Sequence, residues 1–252
     1  MTTNSVLKVE NEPARRRLIL ALGRGFSGKS LWSRWLVETM RLKGVSPVVG
    51  DADYVTHNLS RHADHAIVLG KGWDAHEAWW RALTATGEEL AAHPVVVEFS
   101  PDKGLICRVD GETRDFAERH VTLGFDVTKV FFLAPDVGDA VLFGNAGAEV
   151  TATATILVLN EGAPGSLKED RFDGVLAHPA VRDAIGQGAH VVRMPELNVD
   201  RNKVSQIALR APFDDDASAK ADTRSFERHV IRTWLGRMDE AFAPFGRELA
   251  LG

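Results

Sequence analysis

The residues that could do chemistry gather first in one stretch, LILALGRGFSGKSLW, residues 18–32. Gly23 and Gly28-Lys29-Ser30 within it have the Gly-x-x-x-x-Gly-Lys-Ser spacing of a phosphate-binding loop. Glycines let such a backbone fold tightly and turn several N–H groups towards phosphate oxygens. The helix that follows adds the positive end of its dipole. On this reading Gly23, Gly25, Phe26, Ser27, Gly28, Lys29, Ser30 and Leu31 line the phosphates. Lys29 reaches the β- and γ-phosphates and the Ser30 hydroxyl ligates Mg²⁺. Arg24 stands just before Gly25, where a generic loop needs no particular residue.

A second group follows a later apolar run, in VVGDADYVTHNLSR, residues 48–61. Asp51 and Asp53 there could support Mg²⁺ through water and orient an attacking water. The bland alternative is a pair of turn aspartates capping a loop.

These groups need elements to position them. Six apolar runs recur, at 17–22, 45–50, 94–99, 128–135, 153–160 and 190–195. Most are continuous rather than alternating, as strands covered on both faces should be. Between the first two, Trp32, Trp35, Leu36, Thr39 and Met40 share one helical face, with Gly44 as a stop. A second helical pattern, DAHEAWWRALTATGEELAAH, precedes the third run. Strand and helix alternate, so the expected fold class is α/β: a doubly wound, mostly parallel sheet with helices on both faces. Residues 1–16 read as a tail, and 17–252 as one nucleotide-binding domain. Beyond an acidic connection at 212–224, that domain ends in an amphipathic helix with Phe226, Val230, Trp234, Met238 and Phe242 as its stripe.

The bulk composition narrows the function classes. With 252 residues, 44% of them apolar, the chain can bury a large single core. The net charge of −5 gives no overall attraction to nucleic acid or anionic lipid. One cysteine, Cys107, cannot close an internal disulfide, which fits a reducing, cytoplasmic setting. No window approaches the ~20 apolar residues of a membrane span. His57, His62 and His65 match no zinc spacing. Of the neighbours Trp79 and Trp80, only one can face the core, and the other is open to a partner. Arg224, Arg228 and Arg232, with Arg201, Lys203 and Arg210, could form a patch for non-specific DNA, or simply a solvated face.

Together, Arg24-Gly25-Phe26-Ser27-Gly28-Lys29-Ser30 and Asp51-Ala52-Asp53 resemble the ParA/MinD ATPases, the deviant Walker A proteins that position plasmids and other cellular cargo. The resemblance follows the strand order along nearly the whole chain and implies a P-loop NTPase of SIMIBI-like fold. It implies ATP/ADP and Mg²⁺ as ligands, with slow, partner-stimulated hydrolysis. It implies a homodimer on ATP binding and a protein partner or cargo adaptor, with no membrane. Arg24 takes the place of the family's signature lysine, which acts across the dimer interface. Arginine keeps the charge and can fork onto phosphate. By the same resemblance Asn160, ending ILVLN, and the segment Pro195, Glu196 and Leu197 contact adenine. ATP is preferred to GTP because the Asn/Thr-Lys-x-Asp motif is missing from LNEGAP. Members carried by conjugative or mobile plasmids look closest.

Two departures from that family pattern bear on chemistry. Phe26 replaces a glycine, which requires a backbone position that avoids positive φ and a ring turned from phosphate. Glu98, closing the apolar run in VVVEFSPDKG where the resemblance implies an aspartate that holds Mg²⁺ through water, is one methylene longer, and Asp102 is its alternative. The rival reading is a small-molecule kinase or ligase of dethiobiotin synthetase-like fold, holding a metabolite between the loop and segment 54–93. A third is a nucleotide-bound scaffold that hydrolyses weakly.

Overall fold

A computed structural model describes residues 16–53, 59–63, 65–70, 75, 78–79, 81–82, 93–99, 118, 120–122, 124–147, 150–163, 171–199, 209–210 and 224–251. Its centre is a seven-stranded sheet of order β3-β2-β4-β1-β5-β6-β7, every pairing parallel. The strands are β1 (Arg16–Gly23), β2 (Val48–Ala52), β3 (Ile67–Val68), β4 (Val95–Phe99), β5 (Phe125–Leu133), β6 (Ala154–Asn160) and β7 (His190–Met194). The helices are α1 (Lys29–Leu42), α2 (Val137–Leu142), α3 (Asp173–Leu176), α4 (Pro179–Gly186) and α5 (Arg224–Phe242). A single π turn, Phe143–Gly147, continues α2.

The continuous apolar runs are explained by two cores, one on each face of the sheet. Successive side chains of β1 point to opposite faces. Ile19 and Ala21 join Trp32, Trp35, Leu36 and Met40 of α1 and the buried face of α5. Leu18, Leu20 and Leu22 join Phe131, Phe143 and Val181 on the other side. The Trp32 ring meets Phe132 edge-on at 5.5 Å and Phe242 at 5.9 Å, so α1 and α5 close over the same face.

Several boundaries differ from those read in the sequence. β1 begins at Arg16, inside the stretch assigned to the tail. The run at 45–50 becomes a strand only from Val48, because Pro47 has no N–H to give to a ladder, and it continues through Asp51 to Ala52. β3 is a strand the apolar runs did not reveal; two residues carry no periodic signal. On α5 the buried face is Ile231, Trp234, Leu235, Met238 and Phe242, while Phe226 is 69% exposed. A strict four-residue row drifts by about 40° per step around a 3.6-residue helix, so Phe226 lies far around from Phe242.

Trp79 is buried, packing on Phe99 and donating Nε1 to the Ile67 carbonyl at 2.7 Å. Trp80, Trp73, His57, Cys107, Asp102, Arg201, Lys203, most of the second helical pattern and the connection before residue 224 lie outside the described residues. No described helix is long and apolar enough to cross a membrane.

Candidate nucleotide site

The site forms where the carboxyl ends of β1, β2, β4, β5 and β6 meet, the edge at which open α/β sheets hold ligands. β1 sits in the middle, between β4 and β5. This order brings the loop after β1 beside the ends of strands that are far away in sequence.

The loop itself is held in a tight turn. Gly23 has φ +139 and Gly28 φ +98, both in territory that favours glycine. A Cβ on Gly28 would lie 2.6 Å from Asn160 Nδ2, so the neighbouring chain also excludes a side chain. Phe26 differs from the sequence-based requirement: its φ is +61, in the left-handed region. Its ring does turn outward, 85% exposed. The loop therefore keeps its glycine-like shape and carries the strain of a Cβ there.

Lys29 is 5% exposed and folds back on the loop, its Nζ donating to the carbonyls of Gly23 and Arg24, each at 2.9 Å. Burial lowers its pKa, against the opposing pull of Glu98, Asp53 and Asp139. Ser30 Oγ donates to Glu98 Oε1 at 2.5 Å. Glu98 lies opposite Ala21 on one side and Asp51 on the other by strand register. Burial pushes the Glu98 carboxyl up to about 7, with the Ser30 hydrogen bond and Lys29 resisting and Asp51 and Asp53 reinforcing the rise. Its second oxygen, Oε2, is buried without a hydrogen-bond partner.

Asp51 is fully buried and holds the following segment in shape: Oδ1 accepts from Asp53 N at 3.0 Å and Oδ2 from Ser60 N at 2.8 Å. That is the loop-anchoring alternative, realised by both oxygens. Asp53 is 5% exposed at the same edge of the site. Among the described residues no group of three or more His, Cys, Asp or Glu side chains could by itself hold a metal ion.

The residues placed by resemblance at adenine also make contacts within the chain. The Asn160 amide, placed by resemblance at adenine, donates Nδ2 to the Ser27 carbonyl at 2.8 Å and accepts at Oδ1 from Gly162 N at 2.9 Å. It props the phosphate loop against the end of β6. Pro195, Glu196 and Leu197 follow β7 at the same end; Glu196 Cα would lie 3.5 Å from a Cβ on Gly162, and the Pro195 carbonyl accepts from Trp234 Nε1 at 2.9 Å. Gly25, Ser27 and Leu31 sit within the loop and the first turn of α1, and the Ser27 hydroxyl is buried without a hydrogen-bond partner.

Arg24, placed by resemblance across a dimer interface, is held within its own chain. Its Nη2 lies 2.6 Å from Asp136 Oδ2 and its Nε 2.9 Å from Asp139 Oδ1. Asp136 caps α2 by accepting from Gly138 N at 2.8 Å, and Asp139, fully buried, accepts from Ala134 N at 2.7 Å. The Arg24 hydrogen bond draws Asp136 below the usual carboxylate range, while burial raises Asp139 despite the same arginine. Nothing local in the sequence marks Asp136 and Asp139 as partners of the loop; only the adjacency of β1 and β5 does.

Of the arginines considered for DNA, Arg210 pairs with Asp239, which also accepts from Trp35 Nε1. This ties residues 209–210 to α1 and α5 rather than to a solvent-facing patch.

No family model matches the chain, and no curated protein matches it significantly. Among solved structures it is similar to the cell division protein FtsY of Thermotoga maritima, at 18% identity over 76% of this chain and 65% of that one, with a TM-score of 0.43. It is also similar to chloroplast FtsY of Physcomitrella patens, at 15% identity over 75% and 62%, TM-score 0.46. A third is the signal recognition particle 54 kDa protein of Aeropyrum pernix in complex with GDP, at 19% identity over 73% and 42%, TM-score 0.47. The chain thus spans under two thirds of each of these proteins. With TM-scores below 0.5 these likenesses carry no functional weight. By its own strand order and element sequence, the chain has an α/β fold, an all-parallel sheet with helices on both faces and a glycine-containing loop between β1 and α1.

Proposed function

We propose that this chain is an ATP-dependent dimerising switch of the ParA/MinD type, a slow, partner-stimulated ATPase working in the cytoplasm. It would act in positioning or partition of plasmid or cellular cargo, or in plasmid transfer. The observation that carries the reading is Arg24: a half-exposed cation on the rim of the phosphate loop, held by two carboxylates that it can exchange for phosphate.

In this reading Lys29 leaves the Gly23 and Arg24 carbonyls for the β- and γ-phosphates of ATP, and the loop N–H groups complete the cradle. Arg24 leaves Asp136 and reaches the phosphates bound by a second copy of the chain, adding positive charge where negative charge develops. Asp53 orients the attacking water. Asp51 supports it indirectly, by fixing the backbone of Asp53 and Ser60. Base recognition falls to Pro195, Glu196 and Leu197, since Asn160 is engaged with the loop.

The donor set suits Mg²⁺ bound mainly by substrate. Ser30 Oγ and Glu98 offer two hard oxygens in contact, and the unpartnered Oε2 of Glu98 is an acceptor awaiting a donor, water or cation. Ser30 and Glu98 would hold such an ion, which would supply positive charge against that of the phosphates.

The test is the mass of the purified protein in solution with ADP and with a slowly hydrolysed ATP analogue. A dimer with the analogue alone, lost in Arg24→Ala, is the expected result. A monomer under both conditions overturns the switch. Titration of random duplex DNA with and without the analogue, at several salt concentrations, then decides whether DNA is a partner.

A further inference from the structure

A buried cation lies far from the nucleotide loop, among apolar residues of β5. On the face of β5 that carries Val127, Phe131 and Leu133 into the second core, position 129 is a lysine. It is 7% exposed. Burial lowers its pKa to about 8. An aliphatic side chain would have continued the apolar row at no desolvation cost.

Lys129 faces a cavity of about 510 Å³ among the described residues. The cavity opens between the start of β6, the π turn after α2 and the last turns of α4. Its size lies within the range of small-molecule pockets. Much of the wall consists of small residues, Ala154, Ala180 and Ala184 among them, and that is why space remains. Its polar groups are few and placed apart: the Lys129 amine, the Thr153 and Thr155 hydroxyls, and Asp183 with Gln187 on α4. The amine donates to the Val150 carbonyl at 3.1 Å and lies 5.8 Å from the centroid of the Phe143 ring. Thr155 is the register partner of Lys129 on the neighbouring strand, so the two residues sit side by side. The cavity lies at the amino end of β6, about 20 Å from Asn160 at its other end, by the rise of a strand. It is therefore separate from the phosphate cradle.

We infer that this cavity binds a small organic anion, a compact carboxylate whose charge meets the Lys129 amine and whose apolar body lies against Phe143 and the alanine wall. An ammonium largely withdrawn from water, as Lys129 is, attracts an anion more strongly than the same group in water. Hydrogen bonds to such a charge are the stronger kind. Asp183 disfavours a second negative charge on the ligand, which selects monoanions. This site is independent of the nucleotide reading and stands if that reading fails.

Benzoate is the probe, titrated calorimetrically into the full chain, with benzyl alcohol as its neutral counterpart. Saturable one-to-one benzoate binding is expected, with none for the alcohol. Binding should weaken as pH rises from 7 to 9, because the Lys129 amine loses its proton near 8. Lys129→Gln should weaken it by about tenfold or more, the usual loss when a charged partner is removed. Ala184→Phe keeps the amine and fills the space, so it should abolish binding even if the Lys129 variant fails to fold. Absent benzoate binding, equal binding of the alcohol, or unchanged binding in Ala184→Phe overturns the proposal.

Discussion

The hydroxyl of Ser30 donates to Oε1 of Glu98 at 2.5 Å, joining the first turn of α1 to the end of β4 across 68 positions of sequence. The phosphate loop and the buried carboxylate are therefore one unit. Ser30→Ala removes both that bond and the oxygen proposed to ligate the metal. Magnesium-dependent nucleotide turnover should fall by about tenfold to a hundredfold, with the fold kept. Steady-state phosphate release, alongside circular dichroism, checks this.

Glu98 makes stability depend on pH in a direction opposite to that of most carboxylates. Burial raises its pKa from the ordinary 4.5 to about 7 in the folded chain, so between these values the folded state holds more proton than the unfolded one. Stability contributed by the neutral carboxyl is present below about 4.5 and is lost as pH rises through about 7. Glu98→Gln cannot lose that proton. The difference in Tm, variant minus wild type, should grow as pH rises from 4.5 to 7 and then level off. A difference that stays flat over this window would show that the carboxyl is ionised throughout.

The Arg24–Asp136 pair sets how readily the arginine leaves its own chain. Asp136→Asn keeps a good helix cap and removes the charge. The dimer expected with a slowly hydrolysed ATP analogue should then form at a several-fold lower nucleotide concentration. Light scattering across a nucleotide titration measures it. An unchanged midpoint means that the pair is a surface ion pair of little consequence.

Gly28 answers two constraints, a φ of +98 and the Asn160 amide 2.6 Å from any Cβ. Gly28→Ala should abolish binding of a fluorescent nucleotide without unfolding the domain. Adding Asn160→Ala removes the clash but not the backbone strain, so the double variant should remain impaired. Recovery of wild-type affinity in the double variant would leave the clash as the whole effect.

Phe26 holds a left-handed conformation with its ring in solvent. Phe26→Gly relieves strain of about 1 kcal/mol or more and adds unfolded-state entropy that offsets part of it. A net gain on the order of 0.5 kcal/mol in denaturant unfolding is expected. A loss of nucleotide-dependent dimer despite that gain would assign the ring to the contact between copies.

What could be read from the sequence alone was what local physics controls. Continuous apolar runs announced strands covered on both faces, and the spacing of Trp32, Trp35, Leu36 and Met40 announced the buried face of α1. Gly28-Lys29-Ser30 announced the loop between them. These signals need only a few neighbouring residues, because side-chain period and backbone freedom are local properties. The two-residue β3 was too short to carry a period, and the drift of a four-residue row concealed that Phe226 leaves the core. The partners of the loop were decided only by tertiary structure. Asp136 and Asp139 face Arg24 because β5 lies beside β1, and Asn160 turns to Ser27 because β6 ends behind the loop. Glu98 meets Ser30 because β4 crosses to the other flank of β1. Strand order is set by how two apolar faces are covered over the whole domain. No window of sequence contains it.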